Sequence, residues 1–383
     1  MKRQSFLKGS AVLMAMVLVT KLIGMIYKVP LTNMLGGTGM SCYSGAFAIF
    51  APVFAAAAAG VPSAMSRLVS EQLALGRYAN AVKIKRAALL IFSAVSIAMS
   101  LALILSAHIL AARVIHVPQA KWALIGVSLS LFPAAVMNVE RGWAEGIGSM
   151  TPTASSEIAE TIFKAVFGLA LPYKVISAAR ASFEAYHGCF GHYCADMREA
   201  MMTAAPYAAA ASALGVSLAS FAACIWVFIR TRGLSRRCAR EFEHTGLPRD
   251  MGLRAACRKL RQFTLPVAMT AVVATLSATA DLVTISPQLE RAISRRSEIF
   301  EHLGEYGIAA DERAGFVYGS YSGLALMIFG LLPTFTAMLG KSALPTLSTA
   351  FARRDKRGMT KCLRSMLLLS AGLSLPGGLG ICA

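Results

Sequence analysis

Charged residues are scarce in this chain of 383 residues, and acidic residues are the scarcest of them. Asp and Glu together number 19, and all charged residues make up 15% of the chain, whereas hydrophobic residues make up 56%. With a mean hydropathy of +0.59, this composition excludes an ordinary soluble globular protein of this length. It predicts an integral membrane protein made of apolar helices.

The motifs of common enzyme chemistry are also missing. The sequence has no nucleotide-binding P-loop, no G-x-S-x-G turn, no H-E-x-x-H and no G-x-G-x-x-G fingerprint. We therefore predict no catalytic residue, no bound cofactor and no step driven by ATP. Any energy for work across the membrane would come from a gradient of Na⁺ or H⁺, or from the flow of a solute down its own gradient.

Cysteine is present, but its distribution excludes a disulfide framework. Most of the eight cysteines are single and lie in or beside apolar stretches. The exception is HGCFGHYC, which holds His187, Cys189, His192 and Cys194. Spacings this short do not match the usual zinc pattern, so these four residues are weak candidates for metal ligands and we predict no metal site. A local disulfide between the two cysteines is the other interpretation.

One long segment of the chain occurs twice. YSGAFAIFAPVFAAAAAGVPSAMSRLV begins at Tyr43, YSGLALMIFGLLPTFTAMLGKSALPTL begins at Tyr321, and a basic turn and an apolar stretch follow each copy. A repeat of this length built from apolar helices is typical of a two-lobed membrane transporter. The second copy stops partway through the pattern of the first. We therefore expect an all-α membrane protein with a six-helix first lobe and about three helices of a truncated second lobe.

Nine stretches are long and apolar enough to cross a bilayer as helices. The first six belong to the predicted lobe 1–231, which is followed by a basic cytoplasmic linker, 232–261, and by the partial lobe 262–383 with a polar outer loop at 286–315. A glycine-containing turn at 33–39 separates the first two stretches. The predicted spans are 9–31, 43–66, 87–111, 122–144, 153–173, 203–230, 262–285, 316–340 and 363–383.

The net charge of +19 fits this topology. With the N-terminus in the cytoplasm, most of the 38 Lys and Arg residues fall in cytoplasmic segments, including ten from Arg230 to Arg261 and seven from Lys341 to Arg364. This is the asymmetry of the positive-inside rule. The basic loops lack interleaved aromatic residues, so we predict contact with anionic membrane lipids and no binding of nucleic acid.

Charged side chains inside the apolar stretches are the candidate site. Lys21 and Lys28 lie two helical turns apart on one face of the first span, and Glu157, Glu160 and Lys164 form a stripe on the fifth. A charge within the membrane is costly unless it is paired or hydrated. A structural ion pair or the polar wall of a transport cavity would each explain Lys21 and the stripe, and Lys28 is also explained by a side chain that reaches the membrane surface.

Four stretches carry a resemblance to a known family: Lys8-Gly9-Ser10, LIGMIYKVPLTNMLG at 22–36, MTPTASSEIAETIFKAVFGL at 150–169 and PVAMTAVVATLSATAD at 266–281. With them the chain resembles the stage V sporulation protein B family, in the polysaccharide-transporter branch of the multidrug and oligosaccharidyl-lipid flippase superfamily. The resemblance implies a two-lobed MATE-like transporter fold in a bacterial plasma membrane. It also implies a flippase of an undecaprenyl-linked saccharide, similar to lipid II flippases, that works by alternating access; we predict a monomer.

The resemblance also suggests roles for individual residues. Lipid II flippases carry several arginines in the first two helices, and Lys21 is the position at which this chain keeps a basic residue, so the resemblance implies that Lys21 meets the pyrophosphate of the substrate. In related cation-coupled transporters an acid in the seventh helix helps to bind Na⁺ or H⁺. Asp281, the acid of the seventh span, is therefore the candidate that the resemblance implies for coupling to a cation. Two alternatives remain, a cation-coupled multidrug antiporter of the same fold and a fragment that does not transport.

Overall fold

The computed structural model describes residues 6–115, 117–242, 252–295 and 330–382. These residues are almost entirely helical, because a segment within lipid must pair its own backbone groups. A short antiparallel hairpin, β1 (Gly188–Cys189) with β2 (His192–Tyr193), follows the sixth helix. The α-helices are α1 (Phe6–Phe54), α2 (Val61–Ala74), α3 (Tyr78–Arg113), α4 (Lys121–Ser128), α5 (Leu131–Ile147), α6 (Thr151–Tyr186), α7 (Met197–Phe242), α8 (Leu253–Arg295), α9 (Leu331–Ala352) and α10 (Lys356–Cys382).

The 66 residues of the first candidate span, Gly9–Ala74, are enough for two crossings. At 1.5 Å per residue they would extend about 100 Å, whereas the hydrocarbon core of a bilayer is about 30 Å thick. Gly36 interrupts α1 with φ 62° and ψ −171°, a conformation that glycine adopts readily. This break lies within the turn predicted at 33–39, and the spans 9–31 and 43–66 lie on either side of it.

Six segments of the described residues are long and apolar enough to cross a membrane. They contain the predicted spans except 262–285, which lies in α8, and 316–340, most of which lies outside the described residues. The chain is therefore a multi-pass membrane protein. The six segments are Gly9–Ala74, Tyr78–Arg113, Pro118–Ile147, Thr151–Tyr186, Met197–Arg240 and Lys356–Gly380.

A π-helical turn, Ala55–Ala59, joins α1 to α2 where a proline removes a backbone donor. Pro62 lacks the N–H that would bond the carbonyl oxygen of Ala58 in a regular helix. The side-chain amide of Asn138, a buried residue of α5, donates to that oxygen at 3.2 Å. A neighbouring helix therefore supplies the hydrogen bond that the proline removes, as a helix within lipid requires.

Glycines bring α5 close to α2. A Cβ atom placed on Gly142 would lie 2.6 Å from Cβ of Met65, and one on Gly146 would lie 2.6 Å from Cβ of Val69. Small residues at such crossings let two membrane helices approach closely. Because adjacent helical residues point about 100° apart, the residues that precede the two glycines are directed away from α2.

Helices from both copies of the repeat pack against each other. The segment around Ser63 lies in α2, its counterpart around Ser342 lies in α9, and these two helices are in contact. Helix α8 lies close to the residue before α2, since a Cβ atom on Gly60 would lie 2.8 Å from the carbonyl oxygen of Thr264. The first half of the described chain, α1 to α7, therefore contacts the second half, α8 to α10, through α2 and also through α1.

The helices extend further than the predicted boundaries. Helix α7 continues to Phe242 and α8 begins at Leu253, so both ends of the predicted linker 232–261 are helical. Helix α8 also continues to Arg295, so the predicted outer loop at 286–315 begins as helix. The rest of that loop, from residue 296, lies outside the described residues.

Candidate functional site

A tight turn places the end of α5 beside the start of α6. Gly148 has the left-handed φ of 91°, and the backbone N–H groups of Gly148 and Ser149 bond the carbonyl oxygens of Glu145 and Ala144 at 2.9 and 3.0 Å. Pro152 then lies in the first turn of α6, where its missing donor is not needed. The last two turns of α5 consequently face the first three turns of α6.

Arg141 of α5 is the centre of the charges at this turn. Its guanidinium is buried, and Nη2 lies 2.9 Å from Oε2 of Glu160 while Nη1 lies 3.8 Å from Oε1 of Glu157. Its Nε donates to Oγ of Ser156 at 2.8 Å. Lys164 completes the group, with Nζ 2.6 Å from Oε1 of Glu160 one helical turn earlier. The stripe Glu157, Glu160 and Lys164 is thus joined to α5 by one arginine.

Glu145, one turn after Arg141, binds a lysine from the other half of the chain. Its carboxylate is fully buried, and Oε1 lies 3.2 Å from Nζ of Lys341 in α9. The hydroxyl of Thr153 donates to the same oxygen at 3.0 Å. Nζ of Lys341 also lies 3.8 Å from Oε1 of Glu157. The second carboxylate oxygen of Glu145 accepts no hydrogen bond from any described residue.

We call these six residues the charged cluster. It joins α5, α6 and α9, and it balances three acids against three bases when all of them are ionised. Buried charges are tolerated in this way only when each has a partner of opposite sign. The cluster consists of Arg141, Glu145, Glu157, Glu160, Lys164 and Lys341.

A second buried ion pair lies in α3, α5 and α7. Nζ of Lys85 lies 2.7 Å from Oε1 of Glu140, and the hydroxyl of Thr231 donates to Oε2 at 2.6 Å. Lys85 also lies over the ring of Trp143, whose Nε1 donates to Oγ of Ser235 at 2.8 Å. Because all of these residues precede the second half of the chain, this pair stabilises the packing of the first half.

The other predicted cavity residues lie outside the charged cluster. Lys21 and Lys28 are partly exposed on α1, and neither makes an ion pair with another described residue. Tyr27, beside Lys28, is directed toward α7, with its hydroxyl 3.5 Å from Oγ of Ser212. Asp281 lies within α8, but its side chain is outside the described residues. The structure therefore brings Glu157, Glu160 and Lys164 together, and it does not bring the two lysines of α1 to them.

The β1–β2 hairpin and the residue on either side of it hold the four residues considered for a metal. Cys189 and Cys194 are buried against α6 and α7 and are not joined by a disulfide, and His187 is exposed. The side chain of His192 lies outside the described residues. In the described part of the chain, no three His, Cys, Asp or Glu side chains lie close enough to share a metal ion.

We expect Cys189 to react slowly with iodoacetamide. Burial raises the pKa of its thiol above the ordinary value, so less of the reactive thiolate is present at neutral pH and its rate rises only at higher pH. Peptide-resolved mass spectrometry of the folded protein in detergent, with the unfolded protein in SDS as control, measures that rate. Equal rates in the two samples would contradict the buried position of this thiol.

Comparison with known proteins finds similarity to one described family of sequences over the first part of the chain. Residues 6–185 match the model of a family described as polysaccharide biosynthesis protein. The chain is 26% identical over 202 residues to lipid II flippase MurJ of Bacillus subtilis. This match covers 48% of this chain and 37% of that protein. It is 26% identical over 164 residues to stage V sporulation protein B of Bacillus subtilis, which covers 43% of this chain and 32% of that one. The match thus spans about a third of the length of either curated relative.

A likeness in structure extends over the whole described chain. The eukaryotic MATE transporter AtDTX14 superposes with a TM-score of 0.65 over 98% of this chain and 72% of that one, at 14% sequence identity. Identity this low establishes the fold and no more. The predicted resemblance and the predicted fold class are both confirmed. The chain therefore has the two-lobed helical fold of MATE transporters, and its first half carries the sequence pattern of the polysaccharide biosynthesis protein family.

Proposed function

We propose that this protein is a transporter that flips an undecaprenyl-type lipid-linked saccharide across a bacterial plasma membrane by alternating access. The observation that carries the proposal is the match of residues 6–185 to the polysaccharide biosynthesis protein family in a chain with the MATE transporter fold. The similarity to a lipid II flippase supports the same class of substrate. The sugar pyrophosphate would cross between the helical halves while the lipid tail stays in the bilayer.

Charge within the spans gives this path its polar wall. Glu157 and Lys164 retain partial exposure, whereas Arg141, which lies 3.8 Å from Glu157, is buried behind them, and Glu160 binds Lys164. Because ionised side chains inside a membrane are costly, their retention there is explained by a path that contains water and a polar headgroup. We propose Asp281 as the residue that binds a coupling Na⁺ or H⁺.

Lys21 is our candidate for the contact with the pyrophosphate. It is partly exposed, it lies within the first span, and its ammonium makes no ion pair with a described residue. A lysine of this kind can donate a charge-assisted hydrogen bond to a phosphate oxygen. Lys28, two helical turns further along the same face, would contact the same anionic headgroup.

We expect Lys21→Gln to slow flipping by about 10- to 100-fold, because a hydrogen bond to a charged group contributes about 1.5–3 kcal/mol. The full chain would be reconstituted in liposomes with a fluorescent undecaprenyl-pyrophosphate saccharide. Flipping would be followed as the fraction of the fluorescence that added dithionite quenches. Lys174→Gln, which removes an exposed lysine of α6 beyond the charged cluster, is the matched control and should leave the rate unchanged.

Two results would count against this proposal. A wild-type protein that leaves the saccharide in place but expels cationic dyes under an ion gradient would be an antiporter and would overturn the function. A Lys21→Gln variant that flips at the wild-type rate would remove Lys21 from the substrate path.

A further inference from the structure

We propose that Lys341 and Glu145, with Glu157 as a second acceptor, form a latch that closes the space between the two halves of the chain at one end of the helical bundle. We call it the Ser10 end, because it carries Ser10, the α5–α6 turn and Ser342. The latch deepens the proposed function, since it identifies residues that would control access to the transport path from that end.

The first argument is where the members of the charged cluster come from. Lys341 is its only member from α9, and the other five residues belong to α5 and α6. Its two contacts, 3.2 Å to Glu145 and 3.8 Å to Glu157, are therefore the ones that cross between the halves. Arg141 and Lys164 neutralise Glu160 without help from α9, so separation of the halves would leave most of the cluster intact.

The second argument is that α1 packs tightly against α9 beside Lys341. Oγ of Ser10 in α1 lies 2.6 Å from Oγ of Ser342, the neighbour of Lys341, and both residues are buried. Leu13 and Met16 of α1 are buried in an apolar group that includes Met338 of α9. Further along α1 the large side chains Leu22, Ile26 and Val29 are half or more exposed. The described contact between α1 and α9 therefore lies at the Ser10 end.

The third argument is electrostatic. If α9 moved away, the hydroxyl of Thr153 would be the one partner left to the buried Glu145 among the described residues. A buried carboxylate without a cation is strongly unfavourable, so separation requires water to enter and hydrate it. The pair therefore favours two arrangements over a range of intermediate ones: closed and paired, or open and hydrated.

Another ion pair between the halves shows the contrast. Nζ of Lys259 in α8 lies 3.5 Å from Oε1 of Glu71 in α2, and both side chains are exposed by more than a quarter. Water already surrounds these charges, so separating them costs little. The Lys341–Glu145 pair is the one whose separation changes the hydration of a buried charge.

The latch can be tested through the buried serine beside it. In a Ser342→Cys protein, alkylation of the new thiol requires the Ser10 end to open, so its initial rate follows the open fraction. We expect Lys341→Met to raise that rate about tenfold or more, the change produced by the loss of one charge-assisted hydrogen bond. Lys356→Met, at the exposed start of α10, is the matched control. The rate at the native Cys42, buried in the first half, reports general unfolding and should not change.

A second variant keeps the test decisive if Lys341→Met does not fold. The double variant Glu145→Gln with Lys341→Met leaves no unpaired charge, and it should raise alkylation at position 342 to a similar extent. Lys341→Arg keeps the charge and should stay within about twofold of wild type. Alkylation of a folded Lys341→Met or double variant at the wild-type rate would overturn the latch.

Transport provides a separate readout. A disulfide between cysteines placed at positions 10 and 342 should stop flipping of the fluorescent saccharide, and a reductant should restore it. Flipping that continues with that disulfide intact would overturn the latch, because the Ser10 end would then not need to open. The alkylation experiment needs no substrate. A wild-type protein that flips no saccharide would therefore overturn the proposed function and leave the test of the latch by alkylation intact.

Discussion

Replacing Arg141 with methionine is expected to destabilise the folded protein by about 3–5 kcal/mol, the usual cost of removing one partner from a buried ion pair. The substitution leaves Glu160 with Lys164 alone, and it leaves Glu157 with only the 3.8 Å contact to Lys341 of α9 among the described residues. It also removes the donor that binds Ser156. Both carboxylates would then repel each other in a poorly hydrated place.

Thermal unfolding in detergent would measure this effect as a lowered midpoint temperature. Lys164→Met is the matched control, because Lys164 binds the same glutamate but is more than a third exposed. We expect its cost to stay below about 1 kcal/mol, the range of exposed ion pairs. Adding Glu160→Gln to Arg141→Met should recover part of the lost stability. If the Arg141→Met and Lys164→Met proteins unfold at the same midpoint temperature, Arg141 does not hold the charged cluster together.

The second large effect is expected for Gly215→Ala in α7. A Cβ atom at this position would lie 2.6 Å from the carbonyl oxygen of Phe167 and 2.8 Å from the backbone nitrogen of Gly168, both in α6. These are backbone atoms, so the clash cannot be relieved by turning a side chain. The two helices would have to move apart along one of the longest contacts of the structure, at a cost of about 1–3 kcal/mol.

Gly233→Ala is the matched control for this prediction, since it changes another glycine of the same helix. A Cβ atom at Gly233 would meet no other atom within 4 Å. Alanine there should leave stability unchanged or raise it by up to about 1 kcal/mol, because glycine is a weak helix former. The midpoint temperatures of thermal unfolding of the Gly215→Ala and Gly233→Ala proteins measure this difference. Equal stability would show that α6 and α7 do not cross as closely as described.

Much of the fold could be predicted from composition, periodicity and the internal repeat. The separation of the first two spans at Gly36 followed from local backbone preferences, and the contact between α2 and α9 agrees with the repeat. Helix ends were predicted less well. Helix α8 continues to Arg295, through polar sequence that the hydropathy pattern assigns to a loop. Hydropathy records where a helix leaves the lipid, and a helix can continue beyond that point.

The candidate site was predictable only where its members lie on one helix. The spacing of Glu157, Glu160 and Lys164 predicts their common face, because i, i+3 and i+4 positions of one helix are neighbours. The pairing of Glu145 with Lys341 depends on how α5 and α9 are rotated against each other, which spacing along the chain does not reveal. Lys341 was counted with the cytoplasmic basic residues by its position, whereas in the structure it binds two carboxylates.

The bond from Asn138 to Ala58 has a mechanical consequence. A membrane helix that flexes at a proline normally leaves a bare carbonyl group facing hydrocarbon, which penalises bending. Here the side-chain amide of another helix already holds that carbonyl, and an amide side chain can follow a shift of a few tenths of an ångström by rotating about its own bonds. The π-helical turn between Phe54 and Val61 can thus change its angle without uncovering a polar group, as long as the side chain of Asn138 follows it.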